Sequence, residues 1–105
     1  MRLLSAEPQV VDNPSESRFE VTLDGHRAEL VYHHSGHRLV LIHTEVPDAL
    51  EGHGIGGRLV EFAVDRAAEH GLTVVPKCPF ARAWLERHPD AASRVEIDWG
   101  ERSAT

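Results

Sequence analysis

Three runs of alternating residues, joined by two tight turn signals, constrain the first half of this chain more than anything else in it. "RFEVTL" puts Phe19, Val21 and Leu23 on one face, and Asp24-Gly25 follows as a hairpin signal. "HRAELVYHH" alternates again through Ala28, Leu30 and Tyr32, and Ser35-Gly36 makes a second turn. "RLVLIHTEV" is apolar at every position from Leu39 to Ile42, which predicts a central strand covered on both sides. Strands joined by turns this short run antiparallel. The frame is therefore a three-strand antiparallel meander, ended by Pro47, which cannot donate to a ladder.

After the meander the period changes. Ile55, Leu59, Phe62, Ala63 and Ala67 fall on one face of a helix. His70-Gly71 closes it, with glycine in the usual C-terminal position. "LTVV" reads as a short buried strand stopped by Pro76. Pro79 suits the first position of a second helix, "PFARAWLER", which must end before Pro89. "SRVEIDW" supplies a last strand. The order β-β-β-α-β-α-(β) defines an α+β fold with a mixed sheet. Residues 1–16 read as an N-terminal lead-in with a short edge strand at Val10–Val11, residues 17–100 as the domain, and 101–105 as a tail.

The 105 residues suffice for one compact domain. Seventeen acids against eleven bases give a formal charge of −6, which argues against a nucleic-acid or anionic-membrane binder. The single cysteine, Cys78, excludes an internal disulfide framework and any multi-cysteine metal site. No apolar run approaches a membrane span, and "MRLL" is too short for a signal-peptide core. A soluble cytoplasmic protein, monomer or homodimer, is the expectation. His33 and His34 point to opposite faces of a strand and, with His37, read as turn-flanking surface residues, so no metal is expected.

Gly52-His53-Gly54-Ile55-Gly56-Gly57 stands where the last meander strand hands over to the helix. The first amides of a helix lack internal partners and carry the positive end of its dipole. Without side chains in the way they can cradle a phosphate. The competing reading is a packed turn where helix and sheet touch closely. The letters match a dinucleotide fingerprint at Gly52, Gly54 and Gly57, but three antiparallel strands precede it and no βαβ unit frames it. They also approach a P-loop, but Arg58-Leu59 replaces the Lys-Ser/Thr that this chemistry requires.

The meander, the strand ending in a bulge-prone "TEVP" and the glycine loop opening a long helix resemble the GNAT superfamily of acyl-CoA N-acetyltransferases. "HTEVPDALEGHGIGGRLV" followed by "VVPKCPFARAWLERHP" is similar to its minimal single-domain yjdJ-type branch, over about Phe19 to Pro89. The family's pyrophosphate loop, Arg/Gln-x-x-Gly-x-Gly/Ala, aligns with Glu51-Gly52-His53-Gly54-Ile55-Gly56. Glu51 departs from that pattern, and an acid beside a pyrophosphate is unfavourable. Arg58, one turn into the helix, offsets it in part.

The resemblance implies abbreviated N-terminal helices and a splay between the strand before the loop and the next one, which admits the pantetheine arm of acetyl-CoA. It implies cofactor contacts from Thr44, Val46, Gly52, His53, Gly54, Ile55, Gly56, Gly57, Arg58 and Cys78. The Val46 N–H becomes a donor to the thioester carbonyl, stabilising the oxyanion of acyl transfer. Glu45 is a candidate base for the incoming ammonium, the rival being an acid that merely faces solvent. His43 shares its strand face and relays the proton, or is a hydrogen-bonded core histidine. Cys78 precedes Pro79 at a helix N-cap, beside Lys77. It accepts the acetyl group transiently, or only packs against pantetheine or fills the core. Trp84 reads as core of the last helix, with the cofactor groove as its other possible neighbour. The expected function is an acetyl-CoA-dependent N-acetyltransferase acting on an unidentified primary amine. The alternatives are an acyl-CoA-binding or regulatory module with little catalysis, and a structural interaction domain.

Overall fold

A computed structural model describes residues 9–100 of the chain. Most of the expected lead-in before the first strand and the whole expected tail lie outside them. The elements in order are β1 (Val11–Asn13), β2 (Arg18–Leu23), β3 (His26–Ser35), β4 (Arg38–Glu45), a 3-10 turn (Asp48–Leu50), α1 (Ile55–His70), β5 (Thr73–Pro76), α2 (Pro79–Arg87), a one-turn α3 (Pro89–Ala92) and β6 (Glu96–Ile97).

The six strands form one mixed sheet in sequence order. Antiparallel pairing runs from β1 to β4, with Phe19 opposite Leu30 and Val21 opposite Ala28. The helix α1 then carries the chain back, so β5 pairs with β4 in parallel, and β6 joins β5 in parallel. The alternation read from the sequence decides which face is buried. Phe19, Val21, Ala28, Leu30, Leu39 and Leu41 turn inward onto Ile55, Leu59, Ala63 and Ala67 of α1, and Ala81 and Leu85 of α2 complete the same cluster. Each fully buried Val, Leu, Ile or Phe among them contributes roughly 1.5–3 kcal/mol relative to exposure.

Among the described residues the other face of the sheet has no helical layer. Ile42 is 46% exposed, and Val31 and Val40 are only half-buried. The expectation that β4 is covered on both sides is therefore corrected. Among the described residues every helix follows β4, and all of them share one core on one side.

A second correction concerns the bulge. It does not fall at Thr44–Pro47 but one turn of the pleat earlier. Val31 pairs with His43 while Tyr32 pairs with Leu41, so Ile42 is the extra residue. A bulge reverses which side chains face inward beyond it. Without it His43 and Glu45 would continue the inward row of Leu39 and Leu41. With it Thr44, opposite the buried Leu30, turns toward the helices, and His43 and Glu45 turn out.

Candidate active site

The site assembles where β4 and β5 part. Their parallel ladder ends with Leu41 opposite Pro76, yet β4 continues to Glu45. Pro76 has no amide to extend the ladder. The chain instead turns at Lys77, and the Cys78 amide donates to the Leu41 carbonyl at 2.9 Å. This leaves Thr44, Glu45 and Val46 without a β5 neighbour. Cys78 is the N-cap residue of α2, as expected, with Pro79 at the first helical position. Its thiol is buried, and Sγ lies 3.2 Å from Thr44 Oγ1 across the gap.

On the helix side of this gap runs a groove of about 380 Å³, lined by Thr44, Val46, Glu51, Gly52, Gly54, Ile55, Gly56, Gly57 and Phe80. The start of α1 forms one end of it. The N-cap residue Gly54 is left-handed (φ +70°) and no side chain among the described residues caps the helix; the first intrahelical bond is Arg58 N–H to Gly54 O at 3.1 Å. The amides of Ile55, Gly56 and Gly57 precede that bond, and they carry the positive end of the dipole. His53, exposed in the loop, is not among the residues lining the groove. Glu51 is among them, so the acid anticipated as unfavourable does stand beside the helix start.

The four glycines divide into two pairs with different physical reasons. Gly52 and Gly54 have positive φ (+85° and +70°), and a side chain there would meet nothing within 4 Å. They are required by backbone conformation. Gly56 and Gly57 are helical and required by space: a Cβ on Gly56 would sit 2.7 Å from Phe80 Cζ, and one on Gly57 2.5 Å from Trp84 Nε1. The packed-turn reading thus holds for the second pair, although the close neighbour is α2 rather than the sheet. Phe80 is the lining residue that the sequence reading passed over. Its signal was present, since Phe80 and Trp84 are spaced i, i+4 and so share a helix face.

Trp84 is half-buried and does not belong to the fully buried core. It stacks on His88 with centroids 3.9 Å apart. Beyond it lies a shallow hollow of about 610 Å³ bordered by Glu61, Arg87, His88 and Arg94.

The opposite side of the gap carries His43 and Glu45. Their side chains are 58% and 64% exposed, and His43 Nε2 lies 3.0 Å from Glu45 Oε1. The core-histidine alternative for His43 is therefore corrected: the Ile42 bulge turns it to solvent. The arrangement sets a carboxylate–imidazole pair on one side of β4, and Thr44 with the thiol on the other. Among the described residues no group of three or more His, Cys, Asp or Glu is arranged to hold a metal ion. No helix among them is long and apolar enough to cross a membrane.

Comparison with known proteins places these features in a family. A profile described as GCN5-related N-acetyl-transferase matches residues 18–95. Protein NATD1 of Gallus gallus is 37% identical over 84 residues, covering 77% of this chain and 76% of that one. Protein NATD1 of Mus musculus is 39% identical over 75 residues, covering 69% and 68%. A GCN5-like protein of Staphylococcus aureus, solved by NMR, superposes with a TM-score of 0.67 at 23% identity, over 95% of this chain and all of that one. That likeness shows a shared fold.

Proposed function

This chain belongs to the GCN5-related N-acetyltransferase family, and from that premise we propose that it transfers the acetyl group of acetyl-CoA to a primary amine by direct attack on the thioester. The observation that carries the reading is the parting of β4 and β5 directly beside an uncapped helix start. One groove runs from those amides to Thr44 and Val46.

In this reading the diphosphate lies on the amides of Ile55, Gly56 and Gly57, with Gly52 and Gly54 shaping the approach and Arg58 adding positive charge. The pantetheine arm passes Phe80 into the gap, and the nucleotide end extends past Trp84. The Val46 amide polarises the thioester carbonyl. The amine arrives from the open sheet face. Glu45, held by His43, takes its proton before the nitrogen lone pair attacks. The nitrogen–carbonyl bond then forms as the carbon–sulfur bond breaks, and coenzyme A leaves as the thiol, its sulfur taking up the proton that the nitrogen gives up on becoming an amide. Cys78 packs against the arm and holds Thr44; its burial supports this role over that of a covalent carrier, which must meet the thioester carbon.

The test is thiol release from acetyl-CoA with a panel of amines. Glu45→Gln lowers kcat by about 10²-fold or more while leaving acetyl-CoA binding intact. Equal kcat in wild type and variant removes Glu45 from the mechanism. Quenched mass spectrometry is expected to find no acetyl adduct on Cys78. The second reading, an acyl-CoA-binding module with little catalysis, is favoured by Glu51 in the groove. Stabilisation by acetyl-CoA with no thiol release across the panel selects it.

A further inference from the structure

A third cavity lies at the other end of α1, apart from the two already described. It measures about 440 Å³. That falls within the range of small-molecule sites, which combine apolar walls with a few convergent polar groups. The floor is apolar: Phe19, Tyr32, Leu39 and Leu72 are each at most 8% exposed. The rim carries His34, His37 and His70.

A fixed polar network stands at one wall. Tyr32 donates its hydroxyl to Asp12 Oδ1 at 2.7 Å, and Arg66 Nη1 donates to Asp12 Oδ2 at 2.7 Å. Arg66 is further held over the Phe62 ring at 5.2 Å. Among the described residues Asp12 supplies the one lining carboxylate, both of its oxygens are engaged, and its charge is balanced by Arg66. The other polar side chains among the described lining residues are a hydroxyl and nitrogen bases. The negative end of α1 is close, but the amides of Gly71 and Leu72 already bond to the Ala67 carbonyl there. His70 adds a basic group in the last turn.

We propose that this cavity binds a small organic carboxylate, its apolar body on Phe19, Leu39 and Leu72 and its carboxylate at the rim histidines, beside the neutral Asp12–Arg66 pair. Leu39 lies near the start of β4 and Val46 just beyond its end, roughly 20 Å away along the chain. The site is thus separate from the thioester gap, and the proposal does not rest on the transferase reading.

Three probes of one shape test it: benzoate, benzyl alcohol and benzylamine, titrated into the 15N-labelled full chain. Benzoate is expected to move the amide resonances of Leu39, Arg66 and Leu72 and to bind at least about tenfold more tightly than the other two. The double variant His34→Gln/His37→Gln changes two exposed residues, and its 15N spectrum away from the cavity is expected to match the wild type. It is expected to weaken benzoate about tenfold. Equal binding of the three probes, shifts confined to other parts of the chain, or unchanged benzoate affinity in the double variant would each overturn the proposal.

Discussion

The two ends of α1 are built in opposite ways. At His70 the helix is finished by its own chain: Gly71 takes the left-handed conformation (φ +66°), and the Gly71 and Leu72 amides close on the Ala67 carbonyl. At Ile55 a left-handed glycine also precedes the helix (φ +70°), but no side chain among the described residues caps the first amides. Both ends rest against the same sheet and share one core. The difference therefore lies in what each end leaves unsatisfied. Under the proposed function the sealed end is structural, and the end left open beside a groove is the one that takes the ligand.

The sharpest way to break this contrast is to fill the open end. Gly57→Val drives side-chain atoms into Trp84 and is expected to cost about 1–3 kcal/mol in chemical denaturation. It should also weaken the thermal stabilisation given by acetyl-CoA. Trp84→Ala in the same chain relieves the clash, so the two substitutions are expected to be less than additive. Additive losses would mean that the Gly57–Trp84 contact is not what forbids a side chain.

A matched pair isolates the ligand from the backbone. Gly54→Ala and Gly71→Ala each force a left-handed alanine and meet no neighbouring atom. Each is expected to cost about 1–2 kcal/mol. Only Gly54→Ala should reduce the acetyl-CoA response. If Gly71→Ala reduces it equally, the two ends do not differ in function.

The closed end has its own signature in pH. Burial, then the hydrogen bond to Asp12, pushes the Tyr32 hydroxyl up to about 12. Folding thus favours its neutral form. That contribution is complete below the unfolded value near 10 and is lost as pH rises from there through about 12. Tyr32→Phe is expected to cost about 1 kcal/mol at neutral pH and to flatten this alkaline limb. Denaturation curves at stepped pH check it, and an unchanged limb would remove Tyr32 as its source.

What could be read from the sequence follows the reach of each interaction. The strands β2 to β5, α1 with its Gly71 cap and α2 with Pro79 at its start are local patterns, and they stand where the periodicity and the punctuation set them; the edge strand lies at Val11–Asn13 instead of Val10–Val11, and of "SRVEIDW" only Glu96–Ile97 is strand. The glycine loop was legible as a helix start for the same reason. The short turn Asp48–Leu50 and the one-turn α3 were not, since neither is long enough to show a period. The Ile42 bulge depends on register against β3, which no single strand encodes, and it decides that His43 and Glu45 face outward. The spatial reason for Gly56 and Gly57 lies in α2, beyond the whole length of α1. The Asp12–Tyr32–Arg66 network joins residues 20 and 54 positions apart. Its parts look unremarkable until the fold brings them together.

The central claim is that the start of α1 is the end kept open for a cofactor. Titrating acetyl-CoA into the 15N-labelled chain tests it most directly. The amides of Ile55, Gly56 and Gly57 should move together with Thr44 and Val46, while Gly71 and Leu72 stay still. Saturating acetyl-CoA that leaves Ile55–Gly57 unmoved, or shifts the two helix ends alike, would contradict the account.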